Sequence, residues 1–354
     1  MGKNLLIAQS DMTEAFFLEG ETDFLLITFN HLSIRANGSD FWGRSIAEKA
    51  GFNCLGFMSK TPHWFPRNDR IFENESVKKI LDRFSTKIIY GHSMGGHAAL
   101  KHSNRLGASV VICFSPQYSI DPSITLQNDT RFHRRFNPSL NENMSIIPSD
   151  IKGDIFVFTD QKMPQDRFHV DLLRGVTNFH DIVMPYAGHE TVQCFAGTSK
   201  IITLIDSCLS LDYQNIRRMA SIYRRSSIYR KKNVMINLSR KLARSKNFEK
   251  MIKLTEYMEE IIPHDPIVFD IRSNAYLRMG IFSEALSNIE VAIRMNPQRS
   301  GFYKQKALVL ERIGDLDEAL KFAEIALSIE PHRDDHKKTV AFFSSRVKKI
   351  STIC

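Results

Sequence analysis

The stretch Lys87-Ile-Ile-Tyr-Gly-His-Ser-Met-Gly-Gly-His-Ala-Ala-Leu100 decides how the first half of this chain is read. Lys87–Tyr90 is β-forming, and the residues from His97 on, "HAALKHSNRL", favour helix. Between them stands Gly91-His-Ser-Met-Gly95, a G-x-S-x-G. A strand-to-helix turn that tight forces its central residue into a strained backbone conformation. Glycines on either side remove the Cβ atoms that would collide there. Such a turn lifts the Ser93 hydroxyl above the sheet at a helix N-terminus, where developing negative charge is favoured. The pentapeptide alone is a weak signal, and its place between a strand and a helix gives it weight.

The surrounding sequence supplies the rest of a sheet. Phe24–Phe29, Cys54–Met58, Lys87–Tyr90, Val110–Phe114, Ile155–Thr159 and Ile182–Met184 are short, largely apolar and rich in β-branched or aromatic residues. Amphipathic stretches such as "WGRSIAEKAG" and "ESVKKILDRF" separate most of them. That alternation predicts an α/β fold: a mostly parallel sheet with helices on both faces, ending near residue 210. Pro116–Lys152 breaks the rhythm and reads either as a lid-like insertion or as a long loop.

"GHSMGG" resembles the nucleophile elbow of the α/β-hydrolase fold, and the resemblance covers about residues 1–210. It implies a Ser93 nucleophile whose partners follow in the order acid, then histidine, each after a later strand. His189 in "DIVMPYAGHE" stands where the family places its base. The family often reads D-x-x-V-P after the preceding strand. Asp160-Gln-Lys-Met-Pro164 fits that spacing, so Asp160 is the expected acid, with Asp166 as rival. Asp166 also reads as a helix N-cap ahead of "RFHVDLL".

The oxyanion hole implied by the resemblance takes one N–H from Met94. Many relatives have His-Gly at the second donor, where this chain has Phe29-Asn30 followed by His31; His31 or Asn30 is the candidate. His92 and His97 flank the elbow and either shape the pocket or pack. Trp64 and Phe65, in "TPHWFP", read as an acyl or sugar platform or, preferably, as a packed hydrophobic corner.

Beyond residue 230 the period changes. Prolines 263, 297 and 331 recur every 34 residues. Phe248, Phe282 and Leu316 share one slot, as do Ser239, Ser273 and Ala307. Ala285 matches Ala319, Ala292 matches Ala326, and Gly280 matches Gly314. This resembles the tetratricopeptide repeat, in units at 232–265, 266–299 and 300–333, the first departing with Met251 and Met258 in alanine slots. A capping helix follows in 334–354, with Val340, Phe343, Val347 and Ile350 on one face. The resemblance implies a protein or peptide partner.

The chain has 354 residues and a net charge of +9. Tyr213–Phe248 alone carries eleven Lys or Arg and no Asp or Glu. Overlapping it, 211–231 reads as a basic linker helix, with Ile216, Met219, Ile222 and Tyr223 as an apolar stripe. An anionic polymer or membrane surface is a further option for 213–248, but no nucleic-acid motif accompanies it. Five cysteines without a C-x-x-C pair fit reduced, buried thiols. No metal-ligand spacing appears, and no metal or other cofactor is expected. Gly2 suggests myristoylation, but Leu6 stands where that signal wants Ser or Thr. No apolar run reaches the ~18 residues that span a bilayer, and a cytoplasmic location is expected.

Together these features predict a serine hydrolase that cleaves an ester or thioester through an acyl-enzyme, its repeats binding a protein. Acyl transfer to an alcohol such as a glycan hydroxyl uses the same triad. A non-catalytic adaptor acting through its repeats is the alternative of another class.

Overall fold

The structure, a computed structural model, describes residues 5–331 and 333–351, without the side chains of 349–351. Gly2, the side chain of Ile350 and Cys354 lie outside the described residues. The chain divides after Arg230 into two compact units.

The strands of the first unit are β1 (Leu5–Gln9), β2 (Thr13–Leu18), β3 (Phe24–Phe29), β4 (Asn53–Ser59), β5 (Thr86–His92), β6 (Val110–Phe114), β7 (Asp154–Thr159) and β8 (His180–Val183). They form one eight-stranded mixed sheet in the order β1-β2-β4-β3-β5-β6-β7-β8. β2 runs antiparallel to both β1 and β4, and the other pairs are parallel. The sequence pattern does not predict β1 and β2. They form a hairpin closed at Ser10, whose hydroxyl accepts from the amides of Met12 and Thr13. β2 is buried on both faces, which removes the alternation by which a hairpin strand is recognised.

Helices α1 (Arg44–Ala50), α2 (Glu75–Asp82), α3 (Met94–Lys101), α4 (Pro122–Thr125), α5 (Pro138–Asn141), α6 (Pro164–Arg174), α7 (Thr198–Leu209) and α8 (Tyr213–Ser226) complete this unit. α2, α3 and α6 bury Val77, Leu81, Ala98, Leu100, Val170 and Leu173 on one sheet face. α1, α7 and α8 bury Ala47, Leu204, Ile205, Ile216 and Met219 on the other. The expected linker at 211–231 thus contributes α8 to a core, which is why the unit runs to Arg230 rather than 210. Arg217, Arg218 and Arg225 of α8 are exposed opposite that stripe, as is Ile222. Cys54 and Cys113 lie buried in strands and Cys208 in α7, while Cys194 lies in a 3-10 turn, Thr191–Phe195.

Pro116–Lys152 is a packed segment rather than a solvated loop. It buries Phe132, Met144 and Ile146. It is pinned by Lys101, whose Nζ lies 2.8 Å from both Asp150 Oδ2 and the carbonyl of Ser145.

The second unit is all-helical. α9 (Ile228–Arg244) leads into α10 (Phe248–Ile261), followed by α11 (Ile267–Met279), α12 (Phe282–Met295), α13 (Ser300–Ile313), α14 (Leu316–Ile329) and α15 (Asp334–Ser351). These are tetratricopeptide-like helix pairs. The matched positions Phe248, Phe282 and Leu316 each open the second helix of a pair. Ser239, Ser273, Ala307, Ala285, Ala319, Ala292 and Ala326 are buried where helices approach, and Met251 and Met258 fill the corresponding slots of the first pair. Gly280 and Gly314 end α11 and α13 with φ of 78° and 102°, a region open to glycine at little cost. Phe343 of α15 is buried against α13 and α14 residues Ala307, Leu310, Ala319 and Ala323. Ile267 of α11 is buried, Lys304 of α13 pairs with Asp335, and Arg240 of α9 is exposed.

Candidate active site

Ser93 joins β5 to α3 with φ 53° and ψ −117°, a conformation that costs a non-glycine residue about 1–3 kcal/mol. The glycines make the turn possible. A Cβ on Gly91 would stand 2.1 Å from the Gly95 carbonyl oxygen, and one on Gly95 would stand 2.3 Å from that of Phe29. The Ser93 amide donates to the Phe114 carbonyl of β6 (2.9 Å), which fixes the bend against the sheet.

His189 arrives on the loop after β8. Its Nε2 lies 2.9 Å from Ser93 Oγ, and its Nδ1 lies 2.8 and 2.9 Å from the two carboxylate oxygens of Asp166. Asp166 sits in the first turn of α6, with its side chain 1% exposed. This reverses the expected order of the two acids. Asp160 follows β7, but Oδ1 accepts from the Lys162 amide and Oδ2 from the Gly188 amide, each at 2.8 Å. It therefore holds the backbone of the histidine loop and not the imidazole. Asp166 is no N-cap either, since Met163 occupies that position.

Two neighbours fix proton directions. The Trp64 indole N–H can only donate, and it donates to Gln117 Oε1 at 3.1 Å. The Gln117 amide must then turn its Nε2 toward Ser93 Oγ, 3.2 Å away. With that lone pair taken, the Ser93 proton is directed at His189 Nε2. Arg131 donates from Nη2 to Asp166 Oδ1 (2.7 Å) and to Asp129 Oδ2 (2.7 Å), and Asp129 Oδ2 accepts from His169 Nε2 at 3.0 Å. Burial opposes ionisation of Asp166, but His189 and Arg131 beside it outweigh that and hold its carboxyl below the usual range. Burial likewise opposes ionisation of Asp129, and His169 and Arg131 hold it well below that range.

Gln117, Asp129, Arg131 and His169 are absent from the sequence reading. Gln117 follows β6 at the same end of the sheet as the elbow, so the rule that places functional groups after strands leads to it. Asp129 and Arg131 lie in the irregular segment and carry no local signal.

The amides of Met94 and His31 donate to no acceptor among the described residues. Asn30 is no free donor. Its amide donates to Phe57 (3.3 Å), and its side chain clamps the loop through Ser59, His31 and Ile34. His92 lies between His31 and His189, its ring tilted to both at separations of 5.8 and 5.3 Å, with Nε2 3.2 Å from Glu190. Burial lowers the pKa of His92 against the pull of Glu190; the bond from His92 lowers that of Glu190. His97 packs beneath the elbow, its Nδ1 2.9 Å from the Gln117 carbonyl. Trp64 and Phe65 are wholly buried, so they form a corner and not a platform. Among the described residues no group of three or more His, Cys, Asp and Glu is placed to hold a metal ion, and no helix is long and apolar enough to cross a membrane.

No family model matches the sequence, and neither does any curated protein. Solved structures, tetratricopeptide domains among them, are similar to the helical part. The first such domain of Spaghetti (RPAP3), bound to an HSP90 peptide, is 21% identical, with 32% of this chain and 91% of that chain covered and a TM-score of 0.30. The Sgt2 domain of Aspergillus fumigatus is 20% identical, covering 34% of this chain and 81% of that one at a TM-score of 0.32. The translocator chaperone SycD of Yersinia enterocolitica is 19% identical, covering 33% and 81% at 0.30. The repeat assignment rests on the chain's own helix register.

Proposed function

We propose that the first unit is a serine hydrolase of the α/β-hydrolase kind that cleaves an ester or thioester. One observation carries the reading: Ser93 Oγ on a strained elbow, 2.9 Å from an imidazole nitrogen whose other nitrogen lies 2.8 Å from a buried carboxylate. Serine is a poor nucleophile unaided, and this arrangement is how it is activated. His189 takes the Ser93 proton as Oγ bonds to the carbonyl carbon. Asp166 stabilises the imidazolium, and the Met94 and His31 amides are the candidate donors to the oxyanion. Collapse expels the leaving group, which takes its proton from His189. Water, deprotonated by His189, then releases the acid and restores Ser93. An alcohol in place of water turns the same cycle into acyl transfer.

The second unit is proposed to bind a protein or peptide, in keeping with its helix-pair register. A reading in which the repeats carry the whole function has one observation in its favour: Ser93 is only 4% exposed. A fluorophosphonate probe separates the two. The hydrolase reading expects labelling of the wild type and none of Ser93→Ala. Folded wild type that resists the probe would support the adaptor.

A further inference from the structure

The first unit holds a half-open cavity of about 530 Å³, whose lining includes His31 but not Ser93, His189 or Asp166, within the range that takes small-molecule ligands. Leu26, Thr28, Met58 and Tyr90 give it one wall, from three adjacent strands, and Phe41 and Trp42 give another. Strand register sets it next to the nucleophile. β3 and β5 are parallel with Phe29 opposite Gly91, so the chain at His31 leaves the sheet from the strand next to the one that leads into Ser93. His31 lines the cavity. Tyr90 and His92 alternate to the same face of β5, so the cavity runs along the face that His92 tops.

Resting on the hydrolase reading, we infer that this cavity holds the acyl chain of the substrate, and that the substrate is an ester or thioester of an apolar acid of medium length. The sheet-side wall selects against a sugar. Leu26 and Met58 have no hydroxyl partner to offer, the Thr28 hydroxyl is already spent on the Trp42 carbonyl at 2.8 Å, and only the Tyr90 phenol could meet a hydroxyl there. A glycan turned toward that wall would leave most of its hydroxyls unpaired, whereas each methylene withdrawn from water gains. Arg35 and Asp40 keep charge to other parts of the lining, where a more polar portion of the substrate would lie.

The test varies only the acyl chain. With p-nitrophenyl esters, kcat/KM is expected to rise about fourfold per methylene from acetate to octanoate, about four thousandfold over the six methylenes. Filling the cavity with Ala196→Phe or Ile46→Phe should cut the octanoate-to-acetate ratio at least tenfold, with circular dichroism reporting the fold. A second readout needs no catalysis. Of the two tryptophans, Trp42 lines the cavity and Trp64 is wholly buried elsewhere. Sodium octanoate should therefore change the tryptophan emission of Ser93→Ala saturably, and not that of Ser93→Ala/Trp42→Phe. Equal kcat/KM for acetate and octanoate, with no emission change, overturns the inference while fluorophosphonate labelling still stands. A saturable octanoate signal in a protein that no fluorophosphonate labels overturns the hydrolase reading and leaves the acyl site in place.

Discussion

Replacing Asp166 by Asn, with Asp160→Asn beside it, asks the structure which carboxylate serves the imidazole. The Asp166 oxygens lie 2.8 and 2.9 Å from His189 Nδ1, and the side chain is 1% exposed. When His189 takes the serine proton, a positive charge forms about 4 Å from that carboxylate. At the effective dielectric suited to such sites the pair attracts by about 4 kcal/mol, which Asn forfeits. The expected loss is about a thousandfold in both fluorophosphonate labelling rate and ester hydrolysis. Arg131 keeps its bonds to Asp129 from Nε and Nη2, so the segment that carries it stays anchored. Asp160→Asn keeps its one oxygen for the Gly188 amide but sets its Nδ2 against the Lys162 amide, giving up that hydrogen bond at about 1–3 kcal/mol; the cost falls on the backbone of the histidine loop and not on the imidazolium, so the loss in rate should stay below about tenfold. Labelling rates on the two variants, with thermal melts to confirm folding, decide the matter. Equal losses, or a larger one in Asp160→Asn, would refute the assignment of the acid.

Two further outcomes follow from buried charge elsewhere in the first unit. Lys101→Met leaves Asp150 without its partner in a site where the side chains are 0% and 5% exposed, so urea unfolding should show a loss of about 3–5 kcal/mol; a loss below 1 kcal/mol would contradict the buried pairing. His97 and His102, with pKa lowered to about 3 chiefly by burial, stay neutral in the fold but take protons once unfolded. The unfolded chain binds more protons below its histidine pKa, so stability should fall as pH drops below about 6.5, by on the order of 4 kcal/mol for the pair between pH 7 and 5. A flat urea midpoint across that interval would sink this expectation.

Local patterns made much of the molecule legible in advance. The 34-residue spacing of prolines and small residues fixes where helices end and where they approach, because only small side chains fit those crossings. Glycines around Ser93 are needed for the strand-to-helix bend, and that requirement is written in the five residues themselves. The order of Ser93 and His189 along the chain, each after its strand, places them at one end of a parallel sheet. Tertiary structure alone chose Asp166 over Asp160, because a carboxylate's role depends on which donors reach it. At Asp160 two backbone amides reach it first, while the first turn of α6 swings Asp166 onto the imidazole. Arg131, Asp129 and Gln117 joined the site through contacts spanning tens of residues, with no periodicity to announce them. Short-range sequence specifies backbone shape, whereas the pairing of charges is settled only when distant segments pack.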